Sequence, residues 1–192
     1  MKNLPIDHML LISCLLLAAA AAPNPWVQTL TKGNKNITKF HFYVHNLEAG
    51  PNTTVYRVAN ASITSTSPTK FGLVNVLDDR VTAEPDINSE QVARVQGTVS
   101  FTDLHAKAIA MTANFYITSG EFNNSTLSVS GRIPLTEPVR EIPVIGGTSA
   151  FRLARGYAVT SYYSFDSATG SSVLEYKIYV IAHSHEVVWT GA

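Results

Sequence analysis

Apolar and polar residues alternate with a period of two along most of the chain, which is the pattern of strands with one face buried. Residues 37–46 set Phe40, Phe42 and Val44 on one face. In 93–102, Ala93, Val95, Val99 and Phe101 oppose Arg94, Gln96, Thr98 and Ser100. Residues 126–133 set Leu127, Val129 and Ile133 against Thr126, Ser128, Ser130 and Arg132. Further strands are expected over 55–64, 70–78, 106–118, 151–165 and 173–182. Breaks fall at Ala49-Gly50-Pro51-Asn52, Ser67-Pro68, Glu84-Pro85-Asp86, Ser119-Gly120-Glu121, Gly146-Gly147 and 166–170, all compositions of loops and hairpins. Residues 23–36, polar with Pro and Gly, read as a linker. No helical period is sustained beyond the first 22 residues. Short, evenly spaced strands without crossover helices predict an all-β antiparallel sandwich or closed barrel, and alternation alone does not choose between them.

Two expected strands, 106–118 and 173–182, are apolar on both faces. Their outer side is then covered either by another copy of the chain or by a long loop. Three polar residues interrupt apolar stripes: Arg155 lies in register with Phe151, Leu153, Tyr157 and Val159, Asp78 follows Val74 and Val76, and Asn46 follows Val44. A charge on an inward face is costly unless it is paired or borders water. One reading makes Asp78, Arg155 and Asn46 the polar groups of a pocket, with Tyr43, Tyr116 and Tyr157 as partners for phenolic hydroxyls. The other makes Asp78 and Arg155 a structural ion pair or outward-turned strand ends.

Charge narrows the ligand class. Fourteen basic residues balance fourteen acidic ones, with no Lys/Arg cluster, which argues against nucleic acid or an acidic membrane surface as partner. The charged fraction of 15% lies below the typical value of about 25% and suits an uncharged aromatic or sugar ligand. His41 and His45 are too far apart on a strand to share a metal, and His183 and His185 have no third ligand nearby. Gly146-Gly147 lacks the context of a phosphate loop, and no nucleophile elbow occurs. No cofactor or metal is expected.

The first 22 residues have the layout of a secretory signal peptide: Lys2, the apolar run Met9–Leu17, then alanines 18–22. Cys14, the only cysteine, would leave with it, so no disulfide is expected. Secretion gives meaning to five N-x-S/T sequons, at Asn36, Asn52, Asn60, Asn123 and Asn124, as glycosylation sites.

Several segments together resemble plant dirigent proteins. Phe42-Tyr43-Val44-His45-Asn46 is similar to that family's F-Y-x-H-D strand, and Phe71-Gly72 followed by Val76-Leu77-Asp78-Asp79 to its F-G-x-x-x-V-x-D-D. Residues 93–97 resemble A-R-A-Q-G, 139–148 resemble R-E-x-P-V-V-G-G-T, and 151–158 resemble F-R-x-A-R-G-Y-A. The ordered series covers 37–183 and leaves 184–192 as a tail with no assigned role.

The resemblance implies an eight-stranded antiparallel β-barrel, secreted to the apoplast and assembled as a homo-oligomer, a dimer or trimer. It implies a protein without an oxidative centre that guides the coupling of phenoxy radicals, such as those of coniferyl alcohol, made by a separate laccase or peroxidase. Relatives of the pterocarpan-forming type act instead on quinone methides. A third alternative is a non-catalytic carbohydrate-binding module. By position, Asp78 and Arg155 carry over as the family's pocket acid and arginine. Asn46 stands where an aspartate is usual, as does Ala150, and neither can exchange a proton. This leaves Asp78 as the expected acid.

Overall fold

Strand β2 (Lys35–Asn46) pairs along one edge with β10 (Ser172–Ile181) and along the other with β4 (Val74–Thr82), so the sheet returns on itself. The structure is a computed structural model and describes residues 24–32 and 35–182, the side chains of 32, 35 and 36 excepted. The ring continues from β4 through β5 (Gln91–Phe101), β6 (Ala108–Ile117), β7 (Thr126–Pro134), β8 (Val139–Thr148) and β9 (Arg155–Phe165) to β10, every pair antiparallel. The result is a closed eight-stranded barrel, the alternative that period-two alternation alone leaves open. Two short strands fill the splayed ends of the seam. β1 (Val27–Lys32) pairs with the first half of β2, and β3 (Val55–Ala59) with the first half of β4.

The interior has two unlike ends. At the end carrying the β6–β7 and β8–β9 connections, Phe40 meets Trp26, Phe122 and Phe151 at ring-centroid distances of 6.1, 5.7 and 5.7 Å. Val92, Ile117 and Val180 complete this dry plug. Phe42, Phe115 and Tyr176 form a middle layer, with Phe115 5.4 Å from Phe42 and 5.3 Å from Tyr176. Beyond that layer, the end carrying the β2–β3, β5–β6, β7–β8 and β9–β10 connections is hollow.

The structure departs from the sequence expectation at five places. Residues 27–32, within the expected linker, form β1. β3 ends at Ala59, and 60–67 turns rather than extends. β4 runs over 74–82 rather than 70–78, with Leu77, Asp79 and Val81 inward and Val76 outward. β8 occupies a region expected to hold only a break. Its outward residues Val139 and Ile145 are apolar while inward Arg140 is charged, which inverts the usual contrast. β9 begins at Arg155, because positive φ at Ser149 and Leu153 folds 149–154 into a compact turn that tucks Phe151 and Ala154 into the core.

The outer face of β6 carries Ala110, Thr112 and Asn114 exposed, and that of β10 carries the Glu175–Lys177 pair. The expected signal segment, the side chain of Asn36, and His183, His185 and the tail lie outside the described residues.

Because Phe40 is the hub of the plug and fully buried, Phe40→Ala should lower unfolding stability by about 3–5 kcal/mol. Urea denaturation should show this, with Thr112→Val on the exposed outer face changing the midpoint little.

Candidate functional site

The hollow end encloses a cavity of about 170 Å³. Its two sides come from different strands and differ in chemistry. β5, β6 and β7 contribute Val95, Val99, Met111 and Ile133, an apolar wall. The facing wall is polar: Asn46 from β2, Asp79 from β4, Arg140 from β8, Tyr162 from β9 and Tyr176 from β10. A ligand with oxygen substituents along one edge and an apolar opposite edge fits such a division.

Asp79 is 1% exposed. Thr54 donates a hydrogen bond to its Oδ1, and Asn46 Nδ2 donates to its Oδ2 at 3.0 Å. Burial raises the carboxyl from its ordinary 3.8 to about 6; the two donors pull it down, and the nearby charge of Asp78 pushes it further up. The group therefore exchanges its proton near neutral pH. Burial also pushes the Tyr176 hydroxyl up to about 12, so it stays a neutral phenol.

Arg140 is 4% exposed, and its Nε and Nη2 are buried with no hydrogen-bond partner. Its guanidinium lies over the Tyr162 ring, 4.3 Å from the centroid. The ring face offsets part of the desolvation cost, but the unpartnered N–H groups remain costly until an acceptor arrives. A phenolate or carbonyl oxygen in the cavity would supply one.

Of the six pocket residues read from sequence, the structure places Asn46 in the cavity wall and the other five outside it. Asp78 points outward, where Arg94 grips its carboxylate through Nε at 2.8 Å and Nη2 at 2.7 Å and holds it below the usual range. The stripe Val74-Val76-Asp78 is thus the outer face of β4, and the pocket acid is its neighbour. Arg155 is exposed and donates from Nη1 to the carbonyls of Ile145 and Ala154. Its supposed register with Phe151 and Leu153 fails because 149–154 is not a strand. Asp78 and Arg155 do not meet.

The tyrosines were displaced in the same way. Tyr43 stands edge-on to Tyr163 on the outer face, Tyr116 donates to Asn124 Oδ1 at 2.9 Å, and Tyr157 stacks on Tyr179. Asp79, Arg140, Tyr162 and Tyr176 are the site residues that sequence reasoning missed. Arg140 shares a face with Ile142 and Val144, the kind of interruption that singled out Arg155. Asn52, Asn60, Asn123 and Asn124 are exposed.

These features define a closed barrel with a cavity at one end, lined by one buried acid and one unsatisfied cation. A family model described as Dirigent-like protein matches residues 37–181. Dirigent protein 21 of Arabidopsis thaliana is 40% identical over 176 residues, covering 88% of this chain and 93% of its own length. Pterocarpan synthase 1 of Glycyrrhiza echinata is 37% identical over 147 residues, covering 76% and 78%. The solved structure of the pterocarpan synthase dirigent protein GePTS1 superposes with a TM-score of 0.73 at 34% identity, over 82% of this chain and 91% of that one. The chain belongs to the dirigent family.

A carboxyl raised in the folded state binds its proton more tightly there than in the unfolded chain. Asp79 therefore leaves stability untouched below its unfolded value of 3.8, and its cost grows as pH rises through about 6. At pH 7 the cost is roughly 3 kcal/mol. Denaturant titrations at pH 4 and pH 7 should show a decline in the wild type that Asp79→Asn flattens.

Proposed function

We propose that this dirigent protein is an enzyme that dehydrates a phenolic benzylic alcohol through a quinone methide and directs the closure of a new ring. The observation that carries the reading is the pairing, in one cavity, of a buried carboxyl with a value of about 6 and a buried guanidinium lacking acceptors. Two further facts support it. A cavity of about 170 Å³ falls below the roughly 300–1,000 Å³ of pockets that enclose a drug-sized ligand, which suits one substrate molecule at a time rather than two coupling partners. Pterocarpan synthases are among the similar proteins in both sequence and structure.

The substrate binds as a phenolate whose oxygen accepts hydrogen bonds from Arg140. Protonated Asp79 donates to the benzylic hydroxyl, the C–O bond breaks and water leaves, while electrons from the phenolate form the quinone methide. The oxygen of a second hydroxyl on the same molecule then attacks the methide carbon and gives its proton to the Asp79 carboxylate. The first phenolate and the neutral acid are regenerated, so the net change is loss of one water. Arg140 stabilises the oxygen whose charge rises and falls, and Asp79 serves as acid and then base. The apolar wall fixes the face on which attack occurs. No oxidant enters the cycle. This differs from the radical-guiding reading of the sequence, in which an acid and a base have no part.

The test is turnover of a racemic 2′-hydroxyisoflavanol, the alcohol that yields a pterocarpan by losing water, followed by chiral chromatography. Wild-type protein should give one enantiomer, with kcat/KM falling above pH about 6 as Asp79 ionises. Asp79→Asn should lower kcat by about 10²–10⁴-fold with substrate still bound, and Arg140→Gln should lower both affinity and rate. No turnover, together with enantioselective coupling of coniferyl alcohol when a separate oxidase is added, would replace this reading with radical guiding.

A further inference from the structure

A second cavity, of about 540 Å³, lies in the connection between β3 and β4. We infer that it is a binding site for an anionic sugar, a uronate-type ring carrying a carboxylate beside its hydroxyls. The site is separate from the barrel mouth and does not rest on the proposed reaction.

The lining carries three complementary chemistries. Arg57 and Lys70 supply positive charge; no carboxylate lines the cavity, and neither residue has an ion pair among the described residues. A cavity with two unpaired cations and no acid attracts an anion. Ser65 offers a hydroxyl, a group that exchanges hydrogen bonds with sugar hydroxyls in either direction. Ala61, Pro68 and Leu73 add an apolar patch suited to the C–H face of a sugar ring. A bare phosphate would use only the charge.

The loop is also held in shape. Thr64 Oγ1 accepts from the Ala61 N–H and donates to the Phe71 carbonyl, while Ser67 Oγ accepts from the N–H groups of Thr69 and Phe71. Gly72 packs so tightly against Ala61 that a Cβ there would lie 2.3 Å from the Ala61 Cβ, and its φ of +82° suits glycine. Lys70 itself is held at φ +58°. The walls therefore stand in place before any ligand arrives, which lowers the ordering cost of binding.

Calorimetric titration of the full chain, produced in a bacterial host that adds no N-linked sugar and kept at low ionic strength, tests the site with three probes. These are a galacturonic acid oligomer, the same oligomer fully methyl-esterified, and inorganic phosphate. The acid oligomer should bind, and the ester, which keeps the hydroxyls but not the charge, should bind about tenfold more weakly. Arg57→Gln and Lys70→Asn should each weaken binding of the acid oligomer several-fold with an unchanged thermal midpoint, Asn being chosen because it tolerates the left-handed backbone. The inference is overturned if the acid oligomer does not bind, if phosphate displaces it at equal concentration, or if its affinity survives both substitutions.

Discussion

Closure of the ring rests on a short contact between β2 and β4, where Tyr43, Val44 and His45 face Thr82, Val81 and Arg80. The buried His45 ring is bonded to the Thr82 hydroxyl at 2.7 Å across this seam. Since the Thr82 hydroxyl donates to the Glu84 carbonyl, the histidine must donate from Nε2, and burial keeps it neutral by lowering its pKa. The next residue on each strand, Asn46 and Asp79, falls inside the barrel, and Asp79 then bonds both Asn46 and Thr54. A backbone bond from the Asp78 N–H to the Thr54 carbonyl anchors the β2–β3 connection beside them. Were the seam open, Asp79 would be hydrated and an ordinary acid. Its poised proton is a consequence of closure.

The two ends of the barrel divide stability and chemistry between them. The Trp26–Phe40–Phe122–Phe151 plug buries large aromatic surface with favourable ring geometry, worth several kcal/mol in burial alone. The open end contains groups that cost stability: an acid kept from water and a guanidinium whose Nε and Nη2 are unpaired. Such groups persist where the surrounding structure over-determines their positions, as a closed antiparallel ring does. The same imbalance gives the site its preference for a ligand oxygen.

How far the chain could be read depended on whether each strand kept the usual contrast between its faces. β2, β5 and β7 do, and their positions were legible to within a few residues. β8 does not: Val139 and Ile145 outside and Arg140 inside hide its alternation. At β4 the period was right but the phase was wrong. The run Val74-Asn75-Val76-Leu77-Asp78-Asp79 carries apolar residues on both faces, and only packing selects Leu77 and Asp79 as the inner pair. Arg155 failed for another reason, because a stripe was carried through the turn at 149–154 where parity is lost. Asn46, on a strand with clear alternation, faces the cavity, and the choice of a closed barrel came from the resemblance rather than from periodicity.

A crystal structure with a bound, non-ionised phenolic analogue that lacks the benzylic hydroxyl would show which groups hold the substrate oxygen. A phenolic oxygen is expected within hydrogen-bond distance of Arg140 Nε or Nη2, about 2.7–3.2 Å, with the ring against Val95 and Met111. An analogue seated instead on the outer face beside Asp78 and Arg94, or one whose oxygens leave the Arg140 guanidinium unpaired, would contradict this placement.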